Sequence, residues 1–195
     1  MQIKRLCVFC GSKKGKKEVF SGMAAKLGNL MAERNIELVY GGGKIGLMGI
    51  IADTLLAKGG SVTGVIPDFL KVKEVYHDKI NQLIVVQSMH ERKKMMAELS
   101  DAFVVLPGGY GTLEELSEVI SWIQLGLISA PIGILNVDGF FDHLFLQLDV
   151  MVEEGFFDAT SRELLIQSSD PAVLLEMLNE RLAHAPSEKR NLKRS

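Results

Sequence analysis

Glycine-rich turns follow several apolar segments of the chain, and turns of this kind can hold a phosphate group. The most distinctive one runs from Pro107 to Thr112, and shorter ones occur at Gly41 to Gly43 and at Gly11-Ser12. Glycine has no Cβ, so backbone amides can approach phosphate oxygens, and the positive end of a following helix favours the anion. The sequence therefore predicts a phosphate site with contacts from Ser12, Gly42, Gly43, Gly108, Gly109, Tyr110, Gly111 and Thr112.

Two common nucleotide-binding motifs are missing from these turns. No Gly-Lys-Ser/Thr follows any of them, so none is a P-loop. The turn after the first apolar segment has a single glycine, Gly11, where the dinucleotide fingerprint requires three. The pattern therefore does not favour ATP hydrolysis or NAD binding.

A capping motif sets the register of a helix that carries a basic residue on its apolar side. Ser88 followed by Glu91 is the pattern of a capping box, so we expect this helix to begin at Met89. At about 100° per residue, Arg92 falls in the middle of the apolar stripe. A guanidinium stays protonated there and needs an anionic partner, which is either a ligand or a buried acid in a structural ion pair. The stripe consists of Met89, Met95, Met96 and Leu99.

A second helix, predicted to begin at Thr112, carries two adjacent glutamates in different environments. Glu114 lies nearly opposite the core face, whereas Glu115 lies at its edge, where a carboxylate can reach a ligand. Thr112 and Glu115 also have the spacing of a capping box, so Glu115 is a site residue, a helix cap, or both. The core face consists of Leu113, Leu116, Val119, Ile120 and Ile123.

Short β-branched runs alternate with longer amphipathic segments over most of the chain. Several of the short runs are apolar at nearly every position, which is typical of parallel strands covered by helices on both faces. We predict an α/β fold, a Rossmann-like doubly wound parallel sheet in a single domain, with its ligand beyond the carboxyl ends of the strands. The domain spans residues 1–183, and residues 184–195 are expected to form a polar, basic, disordered tail. The predicted strands are 3–9, 37–40, 61–66, 83–87, 102–106 and 131–135; the predicted helices begin at Glu18, Gly46, Met89, Thr112 and Phe141, and the last spans 171–182.

The charge balance argues against nucleic acid or an anionic membrane as the partner. The 195 residues include 22 Lys and Arg and 24 Asp and Glu, a net charge of -2. Such a chain has no global positive field for a phosphate backbone. No apolar run reaches the roughly 18 residues of a membrane span, and the first is too short for a signal-peptide core. We expect a cytoplasmic protein that binds a small molecule.

The two cysteines, Cys7 and Cys10, form a C-x-x-C sequence inside a predicted strand. Positions three apart on a strand point to opposite faces, whereas a redox motif needs both thiols at a strand-to-helix turn. We therefore do not expect a thiol or zinc function.

These residues resemble the LOG ("Lonely Guy") family, which are cytokinin riboside 5′-monophosphate phosphoribohydrolases long described as lysine decarboxylases. The family signature P-G-G-x-G-T-x-x-E is met in full from Pro107 to Glu115, and the resemblance covers roughly residues 3 to 180. Other segments similar to the family are Tyr40 to Gly49, Ile66-Pro67, Met89 to Lys93 and Trp122 to Gly126.

The resemblance implies an enzyme that hydrolyses the N-glycosidic bond of an adenosine-type 5′-monophosphate, releasing the base and ribose 5-phosphate. It implies no metal or organic cofactor, and a homodimer. Arg92 and Glu115 match the catalytic residues of the family, and the amides of Gly108 to Thr112 are implied to hold the 5′-phosphate. Further substrate contacts implied by the resemblance are Glu74, Met89 and Lys93.

Two positions depart from the family pattern without removing a candidate catalytic group. The usual Gly-Ser-Ser-Pro-Gly opening is replaced at Gly11 to Gly15 by Gly-Ser-Lys-Lys-Gly, and Ala130 precedes Pro131 where Lys is common. The lysines of residues 13–17 are either a solvated loop or a group that steers nucleotides towards the cleft.

Two other functions compete with the hydrolase. One is a non-catalytic carrier of a phosphorylated ligand, of the type that carries the molybdenum cofactor; the presence of both Arg92 and Glu115 argues against it. The other is the older decarboxylase description, which requires a lysine that forms a Schiff base with pyridoxal phosphate.

Overall fold

Seven short apolar segments form one parallel sheet. The structure is a computed structural model that describes residues 2–71 and 76–184. The strand order is β4-β3-β2-β1-β5-β6-β7, and each neighbouring pair is parallel. The strands are β1 (Arg5–Phe9), β2 (Glu37–Tyr40), β3 (Val62–Pro67), β4 (Gln82–Val86), β5 (Ala102–Val105), β6 (Ile132–Leu135) and β7 (Leu165–Ser168).

Helices cover both faces of this sheet. Along β1, Leu6 and Val8 point into one apolar core and Cys7 and Phe9 into the other, as the two-residue period of a strand requires. The first core is completed by α1, α2 and α8, and the second by α4, α5 and α6. The helices are α1 (Glu18–Glu33), α2 (Gly46–Ala57), α3 (Asp68–Lys71), α4 (Met89–Leu99), α5 (Tyr110–Gln124), α6 (Asp142–Glu153), α7 (Ala159–Leu164) and α8 (Pro171–His184), with a 3₁₀ turn at Val137–Gly139.

The strand order changes direction at β1, which lies between β2 and β5. Chain connections leave the sheet on opposite sides of such a point, so a crevice opens beyond the carboxyl ends of the two central strands. The loops that follow β1 and β5 therefore meet at this crevice. These are the loops that contain Gly11-Ser12 and Pro107 to Gly109.

The predicted α/β class, parallel sheet and single domain are confirmed, and each predicted strand exists with its ends within two residues of the prediction. The prediction missed β7, a four-residue edge strand that begins directly after the last residue of α7. Without a turn residue between Leu164 and Leu165, the sequence pattern gives no sign that helix changes to strand.

The predicted start of α5 at Thr112 is wrong, because the helix begins two residues earlier at Tyr110 with Gly109 as its N-cap. Glycine is among the residues found at the N-cap, and a glycine inside a helix costs only about 1 kcal/mol of conformational entropy. Gly111 can therefore stand inside the first turn. The predicted start of the next helix, Phe141, is the N-cap of α6.

Three smaller predictions concern the cysteines, the tail and the membrane. Cys7 and Cys10 are free, buried and on opposite faces of the sheet. Of the predicted tail, His184 is the last residue of α8, and residues 185–195 lie outside the described residues. Within the described ranges no helix has the length and apolar character that spanning a membrane requires, and no three His, Cys, Asp or Glu side chains converge as a metal site would need.

Candidate active site

A cleft of about 580 Å³ lies beyond the carboxyl ends of β1 and β5. Its walls come from the loops after β1, β2, β5 and β6 and from residues of the five helices α1 to α5. Most of the predicted phosphate-site residues line it, namely Ser12, Gly108, Gly109, Tyr110, Gly111 and Thr112. Arg92, Glu115 and Met89 line the same cleft, so the structure brings together most of the residues that the sequence assigned to one site.

Backbone hydrogen bonds hold the glycine turns of the cleft against one another. The amide of Gly11 donates to the carbonyl of Pro107 at 3.0 Å, and the amide of Leu47 donates to the carbonyl of Gly11 at 3.0 Å. A Cβ on Gly108 would lie 2.1 Å from Thr112 Oγ1 and 3.0 Å from the Gly11 amide nitrogen. The absence of a side chain at Gly108 therefore lets the two turns touch, which gives the cleft a rigid wall.

The amino end of α5 faces the cleft. Its first helical hydrogen bond runs from the Leu113 amide to the Gly109 carbonyl, so the amides of residues 110–112 precede the hydrogen-bonded part of the helix. Amides in that position, together with the helix dipole, form an anion site. The predicted capping box of Thr112 and Glu115 is wrong, because Thr112 stands inside the first turn, where its side chain packs against Gly108.

Arg92 is buried at the base of the cleft, with 7% of its surface exposed. The predicted cap of its helix is confirmed, since Ser88 Oγ accepts the Glu91 amide at 3.1 Å. Arg92 Nη2 donates to the Gly41 carbonyl at 3.4 Å, and Nη2 lies 3.8 Å from Glu115 Oε1, beyond hydrogen-bond distance. Nε has no hydrogen-bond partner among the described residues. A guanidinium held this loosely keeps donors available for a ligand.

Glu115 stands opposite Arg92 with its side chain 11% exposed. Burial raises the pKa of its carboxyl from an ordinary 4.5 to about 7, although the Arg92 guanidinium pulls the pKa down and Glu114 pushes it further up. A carboxyl group that titrates near neutral pH can both accept and release a proton there. Because Thr112 is not the N-cap, Glu115 is not part of a capping box, and its side chain lines the cleft.

Lys93 and Glu114 pair with each other at the edge of the cleft, and of the two only Glu114 lines it. The Lys93 ammonium group contacts the Glu114 carboxylate and lies 2.9 Å from Glu118 Oε2. The implied contact of Lys93 with substrate stays a prediction, since Lys93 ties α4 to α5 and does not line the cleft. Glu114 is half exposed, as its outward position in the predicted register requires.

The remaining predicted residues lie behind the cleft or outside the described residues. Gly42 has a φ of +79°, and its carbonyl accepts the His77 amide at 2.9 Å. Gly43 forms an isolated antiparallel bridge with Tyr76. Neither glycine lines the cleft. Glu74 lies in residues 72–75, outside the described part of the chain.

The sequence analysis missed an apolar wall and one glycine. Phe20, Leu70 and Phe140 line the cleft, and the rings of Phe20 and Phe140 meet edge to face with centroids 5.7 Å apart. Phe140 follows β6, so its place at the carboxyl edge of the sheet could have been inferred. Phe20 could not, because in sequence it belongs to the amphipathic pattern of α1.

This glycine is Gly41, which belongs to a predicted glycine turn but not to the predicted contacts, and it gives a test of how Arg92 is held. A Cβ at this position would lie 1.9 Å from Arg92 Nη2, while the backbone of Gly41 is not in the left-handed region. We expect Gly41→Ala to move the guanidinium and to lower kcat about tenfold to hundredfold in a folded protein, since misplacing a catalytic group by about 1 Å costs that much. Steady-state kinetics and thermal unfolding measure the two effects.

The matched control is Gly22→Ala. Gly22 lies on the exposed side of α1, and a Cβ there would meet no atom within 4 Å. Wild-type kcat is expected for this variant. Wild-type kcat in Gly41→Ala as well would show that the contact with Gly41 does not position Arg92.

The fold and the cleft define a Rossmann-like α/β protein with a buried arginine and glutamate at the switch point of its sheet. A family model described as "possible lysine decarboxylase" matches residues 48–178. The chain is 46% identical over 179 residues to cytokinin riboside 5′-monophosphate phosphoribohydrolase LOG2 of Arabidopsis thaliana, covering 92% of this chain and 84% of that protein. It is 48% identical to LOG4 of the same plant over 176 residues, covering 90% and 82%. The chain therefore belongs to the LOG family of cytokinin riboside 5′-monophosphate phosphoribohydrolases.

More distant proteins of known structure share the fold. The molybdenum cofactor carrier protein of Chlamydomonas reinhardtii superposes with a TM-score of 0.69 at 22% identity, covering 92% of this chain and 98% of that one. The molybdenum cofactor binding protein of Rippkaea orientalis superposes with a TM-score of 0.70 at 22% identity, with the same coverage. At this identity the similarity supports the architecture alone.

Proposed function

We propose that the protein hydrolyses the N-glycosidic bond of an adenosine-type nucleoside 5′-monophosphate, including N6-modified forms, to the free base and ribose 5-phosphate. The observation that carries the proposal is the buried pair of Arg92 and Glu115, 3.8 Å apart in a cleft whose rim is a row of helix-terminal amides. The names of the family relatives in Arabidopsis supply the substrate class.

The amino end of α5 is the proposed 5′-phosphate site. The amides of residues 110–112 precede the first helical hydrogen bond of α5 and line the cleft. An anion there is stabilised by these donors and by the helix dipole. Fixing the phosphate at this point places the rest of the nucleotide in the cleft towards Arg92 and Glu115.

Glu115 is the proposed proton acceptor of the reaction. Water attacks C1′ as the bond from C1′ to the base nitrogen breaks, and the ribose acquires oxocarbenium character. The electron pair leaves with the base, whose nitrogen takes up a proton from solvent. The Glu115 carboxylate stabilises that positive charge and takes the proton of the water, which a carboxyl of pKa about 7 can do at neutral pH. Arg92 orients the nucleotide through the donors that the protein leaves unused.

The apolar wall suits a purine and an apolar substituent on it. Apolar side chains line the cleft together with the glycine turns, namely Phe20, Leu47, Met48, Leu70 and Phe140. Aromatic and aliphatic side chains of this kind hold flat heterocycles. We propose that the base lies against this wall. Preference for an N6-prenylated base over adenine is then worth about 1 to 3 kcal/mol, the usual contribution of an added apolar group.

The raised pKa of Glu115 predicts a dependence of stability on pH. Below its ordinary pKa of 4.5 the group is protonated in the folded and unfolded chains alike. Between pH 4.5 and about 7 the folded chain holds the proton more tightly, so the free energy of unfolding falls as the pH rises and the loss is complete above pH 7. We expect wild type to lose about 2 to 4 kcal/mol more than Glu115→Gln between pH 4.5 and pH 8. Urea unfolding at both pH values measures this difference, and an equal loss in both proteins would contradict it.

The product assay tests the proposed function and separates it from the carrier alternative. Purified protein in a chelator is incubated with AMP and with N6-isopentenyladenosine 5′-monophosphate, and free base and ribose 5-phosphate are followed by chromatography. Release of base in equal amount to ribose 5-phosphate supports the hydrolase, and the ratio of the two rates reports base preference. Tight binding of either nucleotide without release would favour a carrier.

We also propose a symmetric homodimer, as the family resemblance implies. Large apolar side chains are exposed towards the end of α5 and after α6, with Leu125 71% and Phe156 86% exposed. Light scattering coupled to size exclusion tests the dimer, which an elution at 21.5 kDa would contradict.

A further inference from the structure

Two lysines at the mouth of the cleft take no part in the proposed chemistry. Lys13 and Lys14 follow Ser12 in the loop between β1 and α1, and both line the cleft. Both are exposed, so their ammonium groups are accessible from solvent. A ligand that enters the cleft passes these two positive charges.

Their charges are not neutralised by a neighbouring carboxylate. Lys26 lies 2.6 Å from Asp170, Lys44 lies 2.8 Å from Asp78, and Lys17 contacts Asp138. Within residues 2–71 and 76–184, no carboxylate lies within ion-pair distance of Lys13 or Lys14. Of the other charged side chains that line the cleft, Arg92 lies 3.8 Å from Glu115, and Glu114 pairs with Lys93. The two lysines therefore leave the mouth positive.

The backbone that carries these lysines is packed against the start of α2. A Cβ on Gly46 would lie 2.2 Å from the carbonyl carbon of Ser12 and 2.5 Å from the amide nitrogen of Lys13. The carbonyl of Gly11, just before this segment, accepts the Leu47 amide at 3.0 Å. The loop then turns at Gly15, whose φ is +76°. Lys13 and Lys14 thus project from a fixed base, which reduces the entropy lost when they bind an anion.

This base adjoins the proposed 5′-phosphate site. The Gly11 amide donates to the Pro107 carbonyl at 3.0 Å, and a Cβ on Gly11 would lie 3.0 Å from the Lys13 carbonyl oxygen and 3.3 Å from the Cα of Gly108. The loop with the two lysines and the loop that leads into α5 are therefore in contact. An anionic group attached to a phosphate at the amino end of α5 lies within reach of a lysine side chain from the adjoining loop.

We propose that Lys13 and Lys14 form a second anion subsite, which takes the terminal phosphate of a nucleoside 5′-diphosphate. The proposal rests on the proposed function for the position of the first phosphate. Nucleoside diphosphates then bind in the same cleft as the monophosphate and compete with it. Exposed lysines each contribute modestly to binding, so two of them give ADP an advantage of about threefold to twentyfold over AMP at low salt.

Calorimetric titration with AMP and ADP tests the subsite. All titrations use the Glu115→Gln background in a chelator, so that neither nucleotide is turned over. The variant Lys13→Ser/Lys14→Ser is compared with Lys4→Ser/Lys58→Ser, which removes two exposed charges at the opposite edge of the sheet. We expect ADP to bind more tightly than AMP in the background and in the control, and the advantage to disappear in Lys13→Ser/Lys14→Ser. The advantage should also shrink at 0.5 M salt, because exposed charges are screened.

Two outcomes would overturn the proposal. Equal loss of affinity for AMP and ADP in Lys13→Ser/Lys14→Ser would place the lysines at the first phosphate, and unchanged affinities would make them a solvated loop. The titration does not depend on hydrolysis. If wild type releases no base while the ADP advantage follows the lysines, the proposed function fails and the subsite stands.

Discussion

Replacing Glu115 with glutamine is expected to lower kcat by about 10² to 10⁴, the range for the loss of a positioned acid or base. Glutamine has nearly the shape of the protonated carboxyl but can neither carry negative charge nor take a proton. The 11% exposed side chain faces Arg92 at 3.8 Å, so the substitution removes the carboxylate of the proposed pair while altering little else. Initial rates of base release at saturating N6-isopentenyladenosine 5′-monophosphate, with circular dichroism for the fold, measure the effect.

Glu114→Gln is the matched control for this prediction. Glu114 is the neighbouring glutamate on the same helix, but it is half exposed and pairs with Lys93. Loss of such an exposed ion pair is worth less than about 1 kcal/mol, so kcat should fall by less than about fivefold. A larger loss in Glu114→Gln than in Glu115→Gln would mean that the wrong carboxylate has been assigned.

Arg92→Ala is expected to lower kcat by a similar factor of about 10² to 10⁴. The guanidinium lies at the base of the cleft with an unused Nε, and no other arginine lines the cleft within the described residues. Arg92→Lys keeps the charge but loses the planar set of donors, so it should remain at least about tenfold impaired. Because the Arg92 guanidinium lowers the pKa of Glu115, its removal should also move that pKa further above 7.

The double variant shows whether Arg92 and Glu115 act together. Residues that act as one unit give losses that do not add, so Arg92→Ala/Glu115→Gln should be little slower than the slower single variant. Arg34→Ala, which breaks an ion pair with Glu176 away from the cleft, should have wild-type kcat. Wild-type kcat in Arg92→Ala would remove the guanidinium from the mechanism.

The fold, Arg92 and Glu115 could be predicted from the sequence because each rests on a local pattern. The apolar runs fix parallel strands between helices, and Ser88 with Glu91 fixes the register that buries Arg92. Glu115 is predicted to lie at the edge of a helix stripe even though the start of α5 was misplaced by two residues. The face of the helix on which Glu115 lies follows from the core positions of α5, whichever residue begins its first turn.

The remaining features depend on contacts between distant segments. The 1.9 Å approach of a Cβ at Gly41 to Arg92 joins positions 51 residues apart, and no local pattern reports it. The same holds for the ring contact of Phe20 with Phe140 and for the hydrogen bond from the His77 amide to the Gly42 carbonyl. The raised pKa of Glu115 also could not be predicted from the sequence, since it depends on how deeply the carboxyl group is buried.

The most direct measurement is base release from N6-isopentenyladenosine 5′-monophosphate by wild type, Glu114→Gln and Glu115→Gln under one condition. Each protein is kept in a chelator at pH 7, and free base and ribose 5-phosphate are quantified over time. We predict equimolar products from wild type and from Glu114→Gln, and at least about a hundredfold slower release from Glu115→Gln. Nucleotide bound by all three proteins with no base released, or equal rates in all three, would contradict a hydrolase that works through Arg92 and Glu115.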